Sequence, residues 1–147
     1  MCLILMHIIY VDGCFDLFHP GYISFFERIL EEFDQDQDIK LIIGLMTDQQ
    51  MTEYRCPPIF NLKERKTMLE SCIYIDTIIE NPPIPITKEF IDKNNINMVI
   101  HGSDMPNNKL DFWYKDAILL NKFKVIPYTY EITTLSIINR IMNRAFS

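Results

Sequence analysis

An excess of basic charge is missing from this chain. Its 14 lysines and arginines face 20 aspartates and glutamates, for a net charge of −6. That balance excludes the broad basic surface on which general nucleic-acid binding depends. Paired cysteines are missing too: Cys2, Cys14, Cys56 and Cys72 are scattered, with no C-x-x-C among them. They are expected to be free thiols in a reducing, cytoplasmic setting. The first residues, MCLILMHIIYV, are apolar but lack a basic flank and run directly into a strand pattern, so no signal peptide is expected. No apolar run is long enough for a membrane span. Repeats, low-complexity tracts and linkers are absent as well. At 147 residues and 48% hydrophobic, the chain is expected to form one globular domain over 1–147.

What is present is an alternation of two periods. Apolar runs at Ile8–Val11, Ile39–Met46, Tyr74–Glu80, Asn97–His101 and Lys122–Pro127 read as five strands. Between them lie helical patterns: Ile23–Glu32, a stretch capped by Thr47 or Asp48, Leu62–Cys72 capped by Asn61, Thr87 to about Asn94, and Phe112–Leu120. A last helix is capped by Thr133 or Thr134. Strands that are apolar throughout belong in a parallel sheet covered on both faces. The expected architecture is therefore α/β, a Rossmann-like, doubly wound, five-stranded parallel sheet with helices on both faces. Ligands of such sheets bind beyond the carboxyl ends of the strands. This gathers residues 13–19, 47–55, 101–104 and 128–134 around one cleft.

The most informative stretch is HIIYVDGCFDLFHPGYISFF at 7–26. It reads as strand, tight turn at Asp12-Gly13, then a helix with Pro20 near its first position, where the missing N–H costs nothing. Such a turn directs backbone N–H groups and a helix N-terminus at one point, which suits a phosphate.

DGCFDLFHPGY resembles the G-x-F-D-x-x-H-x-G-H signature of cytidylyltransferases. Three more stretches are similar to that family in the same order. The segment CPPIFNLKERKTMLESCIYIDTIIENPP carries its N-x-x-E-R pattern, NINMVIHGSD its H-G-D-D strand end, and EITTLSIINRIMNR follows its R-T-x-G-I-S-T-T region. The resemblance runs from about Ile8 to Arg144 and is strongest to the ethanolamine-phosphate and choline-phosphate enzymes. It implies attack of a phosphoalcohol on the α-phosphate of CTP, giving a CDP-alcohol and pyrophosphate in phospholipid biosynthesis. It also implies Mg2+ carried mainly by the nucleotide phosphates, and a homodimer. With no covalent intermediate, such a site needs donors and cations rather than a nucleophile.

By the same resemblance, His19, Tyr22 and Arg55 are the candidate catalytic residues. Gly13, Cys14, Phe15, Asp16, Arg65, His101, Gly102, Asp104, Thr129, Thr133 and Thr134 are the candidate binding residues. Arg65 is read as a phosphate clamp and Asp16 as a substrate or loop-fixing group. Tyr22 stands where the family has its second histidine, Arg55 where it has a lysine, Tyr128 where it has an arginine and Glu131 where it has a glycine. Glu131 would repel a triphosphate unless its side chain points away. Tyr22→His is expected to raise turnover. Trp113 and Tyr114 offer faces to a cation, although their spacing also fits core or surface aromatics. The alternative to an enzyme is a nucleotide-binding or regulatory domain of the same fold with impaired catalysis. A nucleotidyltransferase using another nucleotide or alcohol is a third reading.

Overall fold

The structure is a computed structural model that describes residues 5–33, 38–128 and 131–147. Five strands form one sheet: β1 (Met6–Gly13), β2 (Asp38–Leu45), β3 (Thr77–Glu80), β4 (Met98–Gly102) and β5 (Phe123–Ile126). All pairings are parallel and the order is β3-β2-β1-β4-β5. The chain starts in the centre, winds outward through β2 and β3, then crosses to β4 and β5. This places the reversal of winding between β1 and β4, where α/β sheets open their ligand crevice.

The continuous apolar runs are explained by the two faces they serve. Successive strand side chains point to opposite sides. Ile9 and Val11 of β1, with Leu41, Ile43 and Leu45 of β2, join one core layer; Tyr10 and Ile42 join the other. The first layer is closed by Phe25, Phe26 and Ile29 of α1 (Pro20–Phe33) and Leu69 of α3 (Leu62–Glu70). The second is closed by Ile91 of α4 (Lys88–Lys93), Leu110 of α5 (Asn107–Trp113) and Ala117 of α6 (Lys115–Leu119). Two further helices, α2 (Asp48–Tyr54) and α7 (Thr134–Ala145), flank the carboxyl edge. Thr47, Asn61, Thr87 and Thr133 cap α2, α3, α4 and α7 through their side-chain oxygens, as their residue types lead one to expect.

Several boundaries shift by one to three residues, and two differences are informative. In place of the helix expected over Phe112–Leu120 there are two, the first starting earlier at Asn107, and they meet at Tyr114, whose side chain turns into the core at 1% exposure. The third strand begins at Thr77 rather than Tyr74. The Asp76 carboxylate takes the Leu41 N–H at 2.8 Å, so regular pairing starts only after it.

Candidate functional site

A cleft opens at the carboxyl edge of the sheet, above the switch point. Asp12, Gly13 and Cys14 leave β1 into it, and His101 and Gly102 end β4 beneath it. Tyr22 of α1, Arg55 after α2 and Tyr128 after β5 line both of its adjoining halves. His19, Thr133 and Thr134 line the outer half.

The turn after β1 is held in a costly shape. Phe15 and Leu17 adopt φ of 51° and 49°, a left-handed region that costs a non-glycine residue on the order of 1–2 kcal/mol. Asp16 and Arg65 hold it there. The buried Asp16 carboxylate accepts the N–H groups of Leu17, Ile59 and Phe60 at 3.0, 2.7 and 2.9 Å. Asp16 thus ties the turn to the loop that follows Arg55, the loop-fixing role among those expected. Arg65 is fully buried. It donates to the carbonyls of Cys14 (2.9 Å), Met46 (2.7 Å) and Phe60 (3.0 Å), and pairs with Asp48 at 2.6 Å. Its guanidinium is committed to three backbone segments and lies outside the cleft lining. The structure therefore places Arg65 as an internal strap rather than at the site of the expected phosphate clamp.

Gly13 ends β1, and a Cβ there would lie 3.1 Å from the Phe15 ring, which it would press before reaching any ligand. Gly21 is the more demanding position. A Cβ on it would lie 2.2 Å from the Tyr128 hydroxyl and 2.8 Å from both His19 Cε1 and the Ile132 carbonyl oxygen. Its bare backbone lets the start of α1 close on His19, Tyr128 and the segment before α7. Nothing in the bare G-Y pair announces that requirement.

His19 is buried at the start of α1, and its Nδ1 accepts the Gly21 N–H at 3.1 Å. An accepting Nδ1 puts the ring proton on Nε2. Burial pushes the His19 pKa below its ordinary value, which favours this neutral form. Tyr22 stacks on the His19 ring at 4.0 Å and 20°. Its hydroxyl lies 3.2 Å from Thr134 Oγ1, which itself donates to the Asp16 carbonyl at 2.9 Å. Since the threonine proton is spent on that carbonyl, the tyrosine is the donor of the pair. Burial pushes the Tyr22 phenol well above its ordinary value. Burial also raises the Cys14 thiol to about 11, so Cys14 remains an uncharged wall of the cleft.

The inner half has a carboxylate floor that the sequence reading passed over. Asp12 accepts the Tyr114 hydroxyl at 2.5 Å. Burial raises its pKa, against the lowering pull of Tyr114, His101 and Arg55. His101 Nδ1 lies 2.7 Å from the Gly102 carbonyl, which can only accept, so here the proton sits on Nδ1. Asp104 Oδ1 is 3.9 Å from the same nitrogen. Arg55 lies over the Trp113 ring at 5.8 Å, so that aromatic face holds a protein cation. Among the described residues that line the cleft, Arg55 is the one lysine or arginine. Glu131 is exposed and is not among the lining residues, so its carboxylate does not fill the cleft. Thr129 lies outside the described residues.

Residues 10–143 match the family model described as cytidylyltransferase-like. The chain belongs to the cytidylyltransferase-like family. Over 141 residues it is 35% identical to an ethanolamine-phosphate cytidylyltransferase of Arabidopsis thaliana, covering 92% of this chain and 32% of that protein. It is 33% identical to a probable choline-phosphate cytidylyltransferase of Schizosaccharomyces pombe, covering 91% and 36% respectively. The chain thus spans about a third of the length of these relatives. The crystal structure of a lipopolysaccharide core biosynthesis protein from Thermoplasma volcanium GSS1 superposes with a TM-score of 0.64. That likeness, at 16% identity over 82% of this chain and 94% of the other, shows the fold. The cytidylyltransferase-like family implies CTP, a phosphorylated substrate and, typically, Mg2+. Among the described residues, no group of three or more His, Cys, Asp or Glu is arranged to hold a metal. Asp12 and Asp104 line the cleft, and one or two carboxylates completed by substrate phosphates suit Mg2+.

Proposed function

We propose that this chain transfers the cytidylyl group of CTP to the phosphate of an amino alcohol, phosphoethanolamine or phosphocholine, with Mg2+ carried on the nucleotide. A phosphate oxygen of the alcohol attacks the α-phosphorus, the bond to the β-phosphate oxygen breaks, and pyrophosphate leaves with that electron pair. The observation that carries this reading is the polarity of the cleft. A neutral histidine with a free Nε2–H and an arginine flank its outer half, and the half-buried Asp12 carboxylate forms its floor. The donors match charge that grows on the transferring phosphate. The Asp12 carboxylate matches the ammonium end of the alcohol. The relatives named for ethanolamine-phosphate and choline-phosphate transfer support the same pairing.

The residues divide accordingly. His19 would donate through Nε2 to a phosphate oxygen, and Arg55 would neutralise the triphosphate. Thr133 and Thr134 start a helix whose end favours an anion. His101, Gly102 and Asp104 bound the inner half, beside Asp12.

A second reading rests on the scarcity of cations. With Arg65 committed to the interior and Arg55 alone lining the cleft, a domain that binds nucleotide without turning it over would show the same architecture. Calorimetry with CTP and Mg2+, followed by pyrophosphate release with each phosphoalcohol, separates the two. Binding with release dependent on an amino alcohol supports the transferase, binding without release supports the second reading, and no nucleotide binding sinks both.

A further inference from the structure

The geometry points to Tyr22 as a positioning residue: its ring fixes His19 with Nε2 as the sole donor, and its hydroxyl latches the start of α7 onto the phosphate turn. This deepens the transferase reading above and rests on it.

The ring half of the argument is steric. Tyr22 stacks on His19 at 4.0 Å and 20°, and on Phe18 at 5.8 Å and 21°. Phe15 meets it edge-on at 5.2 Å. The imidazole is therefore held flat on one face, while the Gly21 N–H occupies Nδ1. Exchanging the two nitrogens by rotation breaks the Nδ1 bond, and the ring must swing out of the stack on the way. Packing fixes its one donor before substrate arrives, and no reorganisation is required during the reaction.

The hydroxyl half is a relay in one direction. Tyr22 donates to Thr134 Oγ1, and Thr134 donates to the Asp16 carbonyl. Asp16 in turn holds the loop after Arg55 through Ile59 and Phe60. Three separate segments of the cleft meet at this chain of bonds: the turn, the Arg55 loop and the start of α7. The sequence expectation that Tyr22→His would raise turnover is revised. A histidine side chain is shorter than the phenol and loses the reach to Thr134.

The test uses Tyr22→Phe, Tyr22→Leu, Thr134→Val and the Tyr22→Phe/Thr134→Val double variant. Nitrogen NMR of the ring, assigned by deletion of His19, reads its protonation pattern without nucleotide. Wild type and Tyr22→Phe are expected to show a single form with a protonated Nε2 and an accepting Nδ1. Tyr22→Leu is expected to average the two nitrogens. A fixed pattern in Tyr22→Leu overturns the ring-holding role. CTP titration reads the latch. Tyr22→Phe and Thr134→Val are each expected to weaken binding about threefold to tenfold, and the double variant no more than the weaker single one. Wild-type affinity in both singles, or full additivity in the double, overturns the latch. A wild-type chain that binds no CTP sinks the transferase reading, while the ring measurement and the same double-mutant cycle read by thermal unfolding still decide the role of Tyr22.

Discussion

Replacing Asp12 by asparagine removes a carboxylate whose charged form burial disfavours and leaves the Tyr114 hydroxyl a neutral acceptor. The Asp12 pKa is raised in the folded chain. Its stabilising contribution is therefore present below the ordinary value of 3.8 and is lost as pH rises through the raised one. At pH 7 the charged group is a cost, so Asp12→Asn is expected to raise the melting temperature there, with the gain shrinking towards pH 4. On the transferase reading the same change removes the proposed partner of the ammonium group and is expected to raise KM for the phosphoalcohol about tenfold or more. A variant less stable than wild type at pH 7, with KM unchanged, would count against both assignments. His19 allows a similar separation. Asparagine is a favoured helix cap and can accept the Gly21 N–H in place of Nδ1, but offers nothing where Nε2 stood. His19→Asn is expected to keep stability within about 1 kcal/mol and to lower turnover about 10²–10³-fold. Denaturant unfolding and pyrophosphate release check the two halves independently.

At the scale of elements, the strap made by Arg65 decides whether the cleft has a wall. It joins the β1 turn, the end of β2 and the loop ahead of α3 through four bonds. Arg65→Met leaves three carbonyls and Asp48 without their donor. The expected loss is about 3–5 kcal/mol, from three carbonyls left without a donor at about 1–3 kcal/mol each, read as a fall in the urea midpoint. It should be accompanied by faster proteolysis between Arg55 and Phe60. The alternation of elements was legible because each strand buries both faces, so Ile9 and Tyr10 are both apolar although they belong to opposite layers. The shape of the turn after β1 was legible because its parts are local: Gly13, Asp16, His19 and Tyr22 lie within ten residues. The role of Arg65 was not, because its acceptors are backbone carbonyls on three other segments, and carbonyls leave no mark in a sequence. Asp12 was missed for a related reason. A strand-end aspartate is unremarkable until Tyr114, 102 residues away, leaves its helix to meet it. That inward turn also split the helix expected over Phe112–Leu120.

For the molecule as a whole, the cleft sits in an acidic body of net charge −6, with Arg55 as its one lining lysine or arginine among the described residues. On the transferase reading, binding a triphosphate is expected to depend on a cation brought with it. On the reading proposed above, Mg2+ is carried on the nucleotide rather than by the resting fold. Two expectations separate that assignment from a structural metal. First, a chelator added to the ligand-free chain leaves the melting temperature unchanged. Second, CTP with Mg2+ at about a hundred times its dissociation constant adds about 2.7 kcal/mol, a rise of about 5–10 °C for a domain of this size, and the chelator abolishes that rise. Thermal scans of the four combinations of CTP and Mg2+ measure both. A fall in melting temperature on chelation alone would assign the ion to the fold. A full shift with CTP in the absence of Mg2+ would mean that Arg55 and the helix ends neutralise the triphosphate unaided, so that the cation is needed for the chemistry and not for binding.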